Sequence, residues 1–406
     1  MMNITTIKNW AVALFSITIL TSCGDDDPGI VINEPATYVF ERNGESTVSF
    51  SGQTTRTLMA EEILSAFKDP TKSQQTIDAM FAHTEGSADF TNADLNVSDK
   101  SVRSKTAASS DLFSSNTALS AEIKSDFDSW IAEQVDTVFP NWELEASVGV
   151  AGQIQEAGGG SIRYVNGKGL ELNQAFNKGL IGALFVDQIV NNYVSTSVLD
   201  AGNNVPENNA GVLSEGKSYT NMEHKWDEAY GYAYAKAADE TDPNATLGEN
   251  DSFLYKYIGR VEGDEDFTGI ADEIYNAFKL GRAAIVAGDY EVRDVQAEII
   301  REKISTVIAV RAVYYLQQGK AGLEQETVDY ASVFHSLSEG LGFVYGLQFT
   351  RQPNSESPYF TNAEVNAMMD DLMTRNGFWD VSTTTLDDIS NDIAAKFSFT
   401  VEEAGS

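Results

Sequence analysis

Cysteine occurs once and histidine three times in 406 residues, and these scarcities narrow the chemistry at the outset. A lone cysteine excludes a disulfide framework and any zinc site built on thiolates. Proline is scarce too, at 8, which favours long helices because proline removes a backbone donor and clashes inside them. Basic residues are few: 27 Lys and Arg stand against 61 Asp and Glu, a formal net charge of −34. Such a chain cannot neutralise a phosphate backbone, which argues against nucleic acid, and it is repelled by an anionic lipid surface. No apolar run is long enough to span a bilayer. What is present is core material, with 42% hydrophobic residues, too many for a disordered chain.

The single cysteine stands where a lipid anchor needs it. Lys8 precedes an apolar run from Trp10 to Leu20 that suits a signal peptide. Leu20-Thr21-Ser22-Cys23 resembles a bacterial lipobox, so residues 1–22 read as a lipoprotein signal peptide and Cys23 as the lipidated residue. Residues 23–35 read as an acidic tether. Its Asp25, Asp26 and Asp27 resemble the export signal of Bacteroidetes-type surface lipoproteins. The expected location is the outer membrane, at the cell surface, with membrane contact through the lipid anchor only.

The remaining chain, 36–406, reads as one helical domain. Residues 38–50 alternate around Asn43-Gly44, a two-residue hairpin signal. After that the apolar spacing is helical: 57–68, 120–139, 170–199, 220–238, 268–287, 291–318, 326–348 and 361–374. The stretch 170–199 is largely apolar, too polar at its edges for a membrane span and interrupted by Asp187, which predicts a central, nearly fully buried helix. Residues 86–117 and 200–218 read as loops, and Gly158-Gly159-Gly160 as a flexible turn that matches no phosphate-binding pattern. Asp264-Glu265-Asp266 resembles the start of a calcium loop, but Tyr275 stands where the bidentate Glu belongs, leaving a helix-capping loop. The expected fold is an all-α bundle opened by a small β-hairpin.

Two of the three histidines lie in segments that match one another. Tyr219, His224, Glu228, Gly231, Tyr232 and Tyr234 repeat as Tyr330, His335, Glu339, Gly342, Phe343 and Tyr345, in the same order and spacing. This predicts a diverged internal duplication with one such helix in each half. His and Glu four apart share a helix face. The glycine three residues further on lets a neighbour approach, at a cost in helix propensity of about 1 kcal/mol. Thr220 and Glu223 form a capping box, so Glu223 is not counted as a ligand. If the halves pack about a pseudo-twofold axis, His224, Glu228, His335 and Glu339 meet in a common interior and suit Fe or Zn. Asp227, Tyr219 and Tyr330 would support them. The bland alternative is equally weighted: buried His-Glu pairs that only pin helices together. His83 is read as a helix C-cap or an exposed side chain, with a third metal ligand as the alternative. Arg293, Arg301 and Arg311 are expected to pair with carboxylates.

The segments YVFERNGESTVSFSGQTTR, HKWDEAYGYAY and HSLSEGLGFVYGLQFTR resemble Bacteroidetes outer-membrane lipoproteins similar in plan to the imelysin-like proteins. That resemblance implies an internally duplicated helical fold in the cell envelope and a part in iron uptake. Imelysins carry G-x-H-x-x-E; here Met222 and Asp227 occupy the glycine and glutamate positions, with Glu228 one further on. The expected function is binding of a metal ion or a small iron-bearing ligand between two half-bundles, with an outer-membrane receptor as partner. The alternatives are a metal-dependent, peptidase-like hydrolase using Glu228 or Glu339 as general base, and a non-catalytic surface interaction protein. No catalytic residue set is otherwise indicated.

Overall fold

Asn43 and Gly44 both take positive φ, 56° and 82°, the backbone that a two-residue hairpin turn demands. They join the strands Glu41–Arg42 and Glu45–Ser46 in antiparallel register, Arg42 opposite Glu45. The computed structural model describes residues 30–406. The expected signal peptide, Cys23 and most of the acidic tether lie outside the described residues.

From Ile32 to Ser406 the chain forms one unit, all-α apart from two short hairpins. Its spine is a 34-residue helix, Tyr290–Leu323. It starts where the Asp289 side chain accepts from the Val292 N–H at 3.1 Å, as an N-cap should. The helices Ile270–Ala287 and Tyr330–Gly346 flank it. The expected buried helix is present as Leu172–Leu180, continued through π-helical turns at Ile181–Val186 and Ile189–Tyr193. Every residue from Lys178 to Ser195 is buried. A β-carbon on Gly182 would lie 2.5 Å from the Gly346 Cα, so this crossing with Tyr330–Gly346 requires glycine.

Three expectations need correction. Residues 86–117 hold short helical turns, Ala93–Asn96, Val102–Lys105 and Ser110–Phe113, because Val102, Ala107 and Phe113 are buried in the core. Gly158-Gly159-Gly160 does turn the chain, but within a second antiparallel hairpin, Gly152–Gln155 with Ile162–Val165. Finally, the carboxylate that caps Ile270–Ala287 is that of Glu262, not one from Asp264–Asp266. It accepts from Gly269 N and Ala271 N at 3.0 and 2.9 Å.

Candidate functional site

Each histidine-bearing helix docks on its own hairpin and its own partner helix. The first, Asn221–Tyr234, packs on Ser51–Ala66, which follows the first hairpin. The second, Tyr330–Gly346, packs on Leu172–Leu180, which follows the second hairpin. In both, the histidine meets the residues just before the partner helix and the glutamate meets the helix itself, at Gln53 in the first turn of one and at Lys178 in the last turn of the other. In both, the repeated glycine marks the closest approach. A β-carbon on Gly231 would lie 2.4 Å from Phe50 Cβ, and one on Gly342 would lie 2.5 Å from Lys178 Cβ.

In the first copy, the His224 Nδ1 lies 3.0 Å from the Ser49 carbonyl oxygen, so that nitrogen carries the proton and donates. Its ring stacks on Tyr219 at 4.6 Å. Burial lowers its pKa. Glu228 accepts from Lys225 at 2.8 Å and from Gln53 at 3.2 Å. Burial pushes this carboxyl up, but the cations and Gln53 together hold it below its ordinary value. The Thr220–Glu223 capping box is formed, and Glu223 also accepts from Arg42 at 2.9 Å and Arg282 at 3.2 Å. Asp227 is fully buried and accepts from Tyr38 at 2.9 Å and Arg282 at 3.0 Å. Burial pushes its carboxyl up to about 6 despite the Arg282 guanidinium. Arg282, wholly buried, thereby ties the hairpin to two helices.

In the second copy, His335 Nδ1 lies 3.0 Å from Glu171 Oε1 and 3.0 Å from Arg163 Nη1. One ring nitrogen serves only one of these, donating to the carboxylate or accepting from the guanidinium. Arg163 is anchored by Glu156, its Nε donating at 2.8 Å. Glu339 lies 3.2 Å from Lys178 Nζ and 3.8 Å from His335 Nε2. Burial raises its pKa, and Lys178, His335 and Tyr315 more than reverse that. Tyr330, expected beside His335, instead packs against Phe334 and Trp379, with ring centroids 5.5 and 5.4 Å away.

The four expected ligands therefore fall into two pairs with separate partners rather than one cluster. The reason is that each hairpin-and-helix unit supplies the polar groups one His-Glu face needs. Among the described residues, no group of three or more His, Cys, Asp or Glu side chains is placed to hold a metal ion. His83 is a C-cap as expected, but a buried one, its Nδ1 2.6 Å from Asp89. Arg293 and Arg301 pair with Asp200 and Glu298. Arg311 instead stacks on Tyr314, 3.9 Å from the ring centroid.

Beside the second pair lies a cavity of about 410 Å³ lined by Gln134, Trp142, Arg163, Tyr164, Glu171 and Gln174, with Lys68 among the other lining residues. The Trp142 and Tyr164 rings stack at 3.4 Å and 7°. Gln134 is held by its Nε2 donating to the Phe67 carbonyl at 2.8 Å. The Oε1 atoms of Gln134 and Gln174 are both buried without a partner. Beside the first hairpin lies a hollow of about 510 Å³ whose polar lining residues include Ser46, Ser49, Ser51, Thr54, Glu240 and Thr241. None of the lining residues of the smaller cavity was anticipated. The one available signal was the Gly-Gly-Gly turn, which marks the hairpin that carries Arg163 and Tyr164.

No curated protein and no solved structure matches this chain. A family model described as a domain of unknown function, DUF4856, matches residues 35–400, and the chain belongs to that family.

Proposed function

We propose that this protein is a lipid-anchored, non-catalytic binding protein that holds a small polar ligand in the 410 Å³ cavity. The observation that carries the reading is the stacked Trp142–Tyr164 pair, which with Gln134, Arg163, Glu171 and Gln174 gives the cavity both an aromatic and a polar lining. The volume lies within the range of small-molecule sites, about 300–1,000 Å³. The anchor rests on the lipobox ending in Cys23. It agrees with the finding that no described helix is long and apolar enough to cross a membrane. The His-Glu pairs serve this reading as pins that fix hairpin to helix. An imelysin-like metal cargo would require both pairs to leave the partners they now hold.

The test is a thermal-shift screen of the full-length protein against sugars, polyols, amino acids, amines and nucleobases. A ligand is expected to raise the melting temperature of the parent and not that of Trp142→Ala with Gln174→Met. A library in which nothing shifts the parent would remove the proposal.

A further inference from the structure

We infer that a basic cluster around Tyr257 binds a tetrahedral oxyanion, a phosphate or sulfate group. Its residues come from four helices: Lys178 from Leu172–Leu180, Lys256 and Arg260 from Phe253–Glu262, Arg311 from Tyr290–Leu323 and Glu339 from Tyr330–Gly346. None of them lines the 410 Å³ cavity. Lys178 Nζ, Lys256 Nζ and the Arg311 guanidinium carbon lie 5.3, 5.7 and 5.7 Å from the centroid of the Tyr257 ring. Arg260 follows Lys256 by one helical turn on the same face. It is close enough to act electrostatically on both Lys256 and Tyr257.

These four cations share one carboxylate, that of Glu339, which is 3.2 Å from Lys178. Among the described residues, Lys178 alone of the four has a carboxylate within ion-pair distance. In a chain with 61 acids and 27 bases, a cation ordinarily finds a carboxylate; here three do not. Lys256 registers the imbalance. Burial first, then Lys178 and Arg260, lower its pKa, and Glu339 and Asp251 do not reverse that. A monoanion such as a carboxylate would neutralise one of the three unmatched charges. A phosphate or sulfate group, with about two negative charges and several acceptor oxygens, reaches more of them. The chain's more distant acids are screened beyond about 8 Å at physiological salt.

Arg311 supplies the fixed donors. It is 7% exposed, and its guanidinium carbon lies 3.9 Å from the Tyr314 ring centroid and 4.6 Å from that of Tyr315. Rings this close hold the planar fork in one orientation. Its Nε is sealed from solvent without a partner, but its two Nη atoms are not sealed in this way, so they are the donors an anion can reach. Lys256 is half-buried and Arg260 exposed, which leaves the cluster open to solvent on the side of Phe253–Glu262. Both side chains can swing onto an anion held by Arg311.

Isothermal titration calorimetry tests this on the full-length protein, with sodium phosphate, sodium sulfate and sodium acetate as probes at constant ionic strength. Phosphate or sulfate is expected to bind saturably, and acetate about tenfold more weakly or not at all. Arg311→Gln is expected to weaken phosphate or sulfate binding about tenfold or more, the worth of a charge-assisted hydrogen bond. Lys256→Gln and Arg260→Gln, on half-buried and exposed side chains, are each expected to weaken it several-fold. These two carry the test if Arg311→Gln does not fold. Which of the two oxyanions binds more tightly tells phosphate from sulfate. No saturable binding of either overturns the inference, and acetate binding as tightly overturns the choice of a dianion. Binding that Lys256→Gln and Arg260→Gln keep in full, but Lys68→Gln loses, places the anion in the 410 Å³ cavity and overturns the cluster as its site.

Discussion

Lys178 Nζ lies 3.2 Å from Glu339 Oε1, with the two side chains only 4% and 8% exposed. Both charges have left water for a region walled by Tyr257, whose ring centroid is 5.3 Å from the ammonium. Removing one member of such a pair strands the other, a loss of about 3–5 kcal/mol. Lys178→Met and Glu339→Gln should therefore each lower stability in urea denaturation. The double replacement Lys178→Met with Glu339→Met should recover most of that loss. Single variants as stable as the parent would show that the pair does not join the second histidine helix to its partner.

Asp187 gives the protein a pH dependence. Its carboxylate accepts from Ala108 N and Ser109 N at 3.0 Å each, yet burial, the largest influence, pushes its pKa from 3.8 up to about 7. A folded-state value above the unfolded one means that protonation favours the fold. The contribution is fully present below the unfolded pKa and is lost as pH rises through about 7. Its size is on the order of 4 kcal/mol. Asp187→Asn keeps an acceptor for both amides and cannot ionise. The expected outcome is that the parent loses stability relative to Asp187→Asn between acid and neutral pH. Parallel stability curves for the two would refute the assignment.

Several features were legible because one or two residues decide them. Asn43-Gly44 dictates a turn by its backbone preference alone, and Thr220 with Glu223 forms a capping box by local reach. The buried run through Ile181–Val186 announced itself by being apolar on every face. The second hairpin gave weaker signals. Its strands, Gly152–Gln155 and Ile162–Val165, are four residues each and half polar, and their alternation is lost beside three glycines. Helical period correctly identified which face of each histidine helix is buried, including the close approaches at Gly231 and Gly342. Period does not say what covers a face. Glu171 and Lys178 stand more than a hundred residues before His335 and Glu339 in the chain, and only the tertiary fold joins them. The cavity was invisible for the same reason: Gln134, Trp142, Tyr164 and Gln174 carry no motif.

The two repeated glycines support a packing prediction. Replacing glycine by alanine in a helix normally gains about 1 kcal/mol. At Gly231 the new methyl would meet Phe50 Cβ at 2.4 Å, and at Gly342 it would meet Lys178 Cβ at 2.5 Å and Gly179 N at 3.0 Å. Atoms this close to the backbone do not swing away, so the helices must separate, at a cost of about 1–3 kcal/mol. Gly231→Ala and Gly342→Ala should both lower the melting temperature. Gly263→Ala, whose β-carbon would meet nothing closer than 3.5 Å, serves as the control and should not. A rise in melting temperature for either of the first two would contradict the helix spacing described.

The histidines make the final prediction, which separates a pin from a ligand. His224 already donates from Nδ1 to the Ser49 carbonyl at 3.0 Å, and Glu228 already accepts from Lys225 and Gln53. His335 and Glu339 are similarly engaged by Glu171, Arg163 and Lys178. A metal ion arriving at the first pair would find one imidazole and one carboxylate, and at the second one imidazole between Glu171 and Glu339, and in each the Lys225 or Lys178 ammonium would oppose it. Structural Zn sites take four ligands, neither set reaches that number, and among the described residues no three such side chains are placed to hold a metal ion. Purified protein exposed to Fe or Zn and then desalted is therefore expected to retain far less than one equivalent. EDTA is expected to leave the melting temperature unchanged. His224→Ala and His335→Ala should each cost about 1 kcal/mol, the net worth of a typical buried hydrogen bond, with no change in metal content. Stoichiometric metal that disappears when both histidines are replaced would reverse this conclusion and restore a metal site built on the repeated pairs.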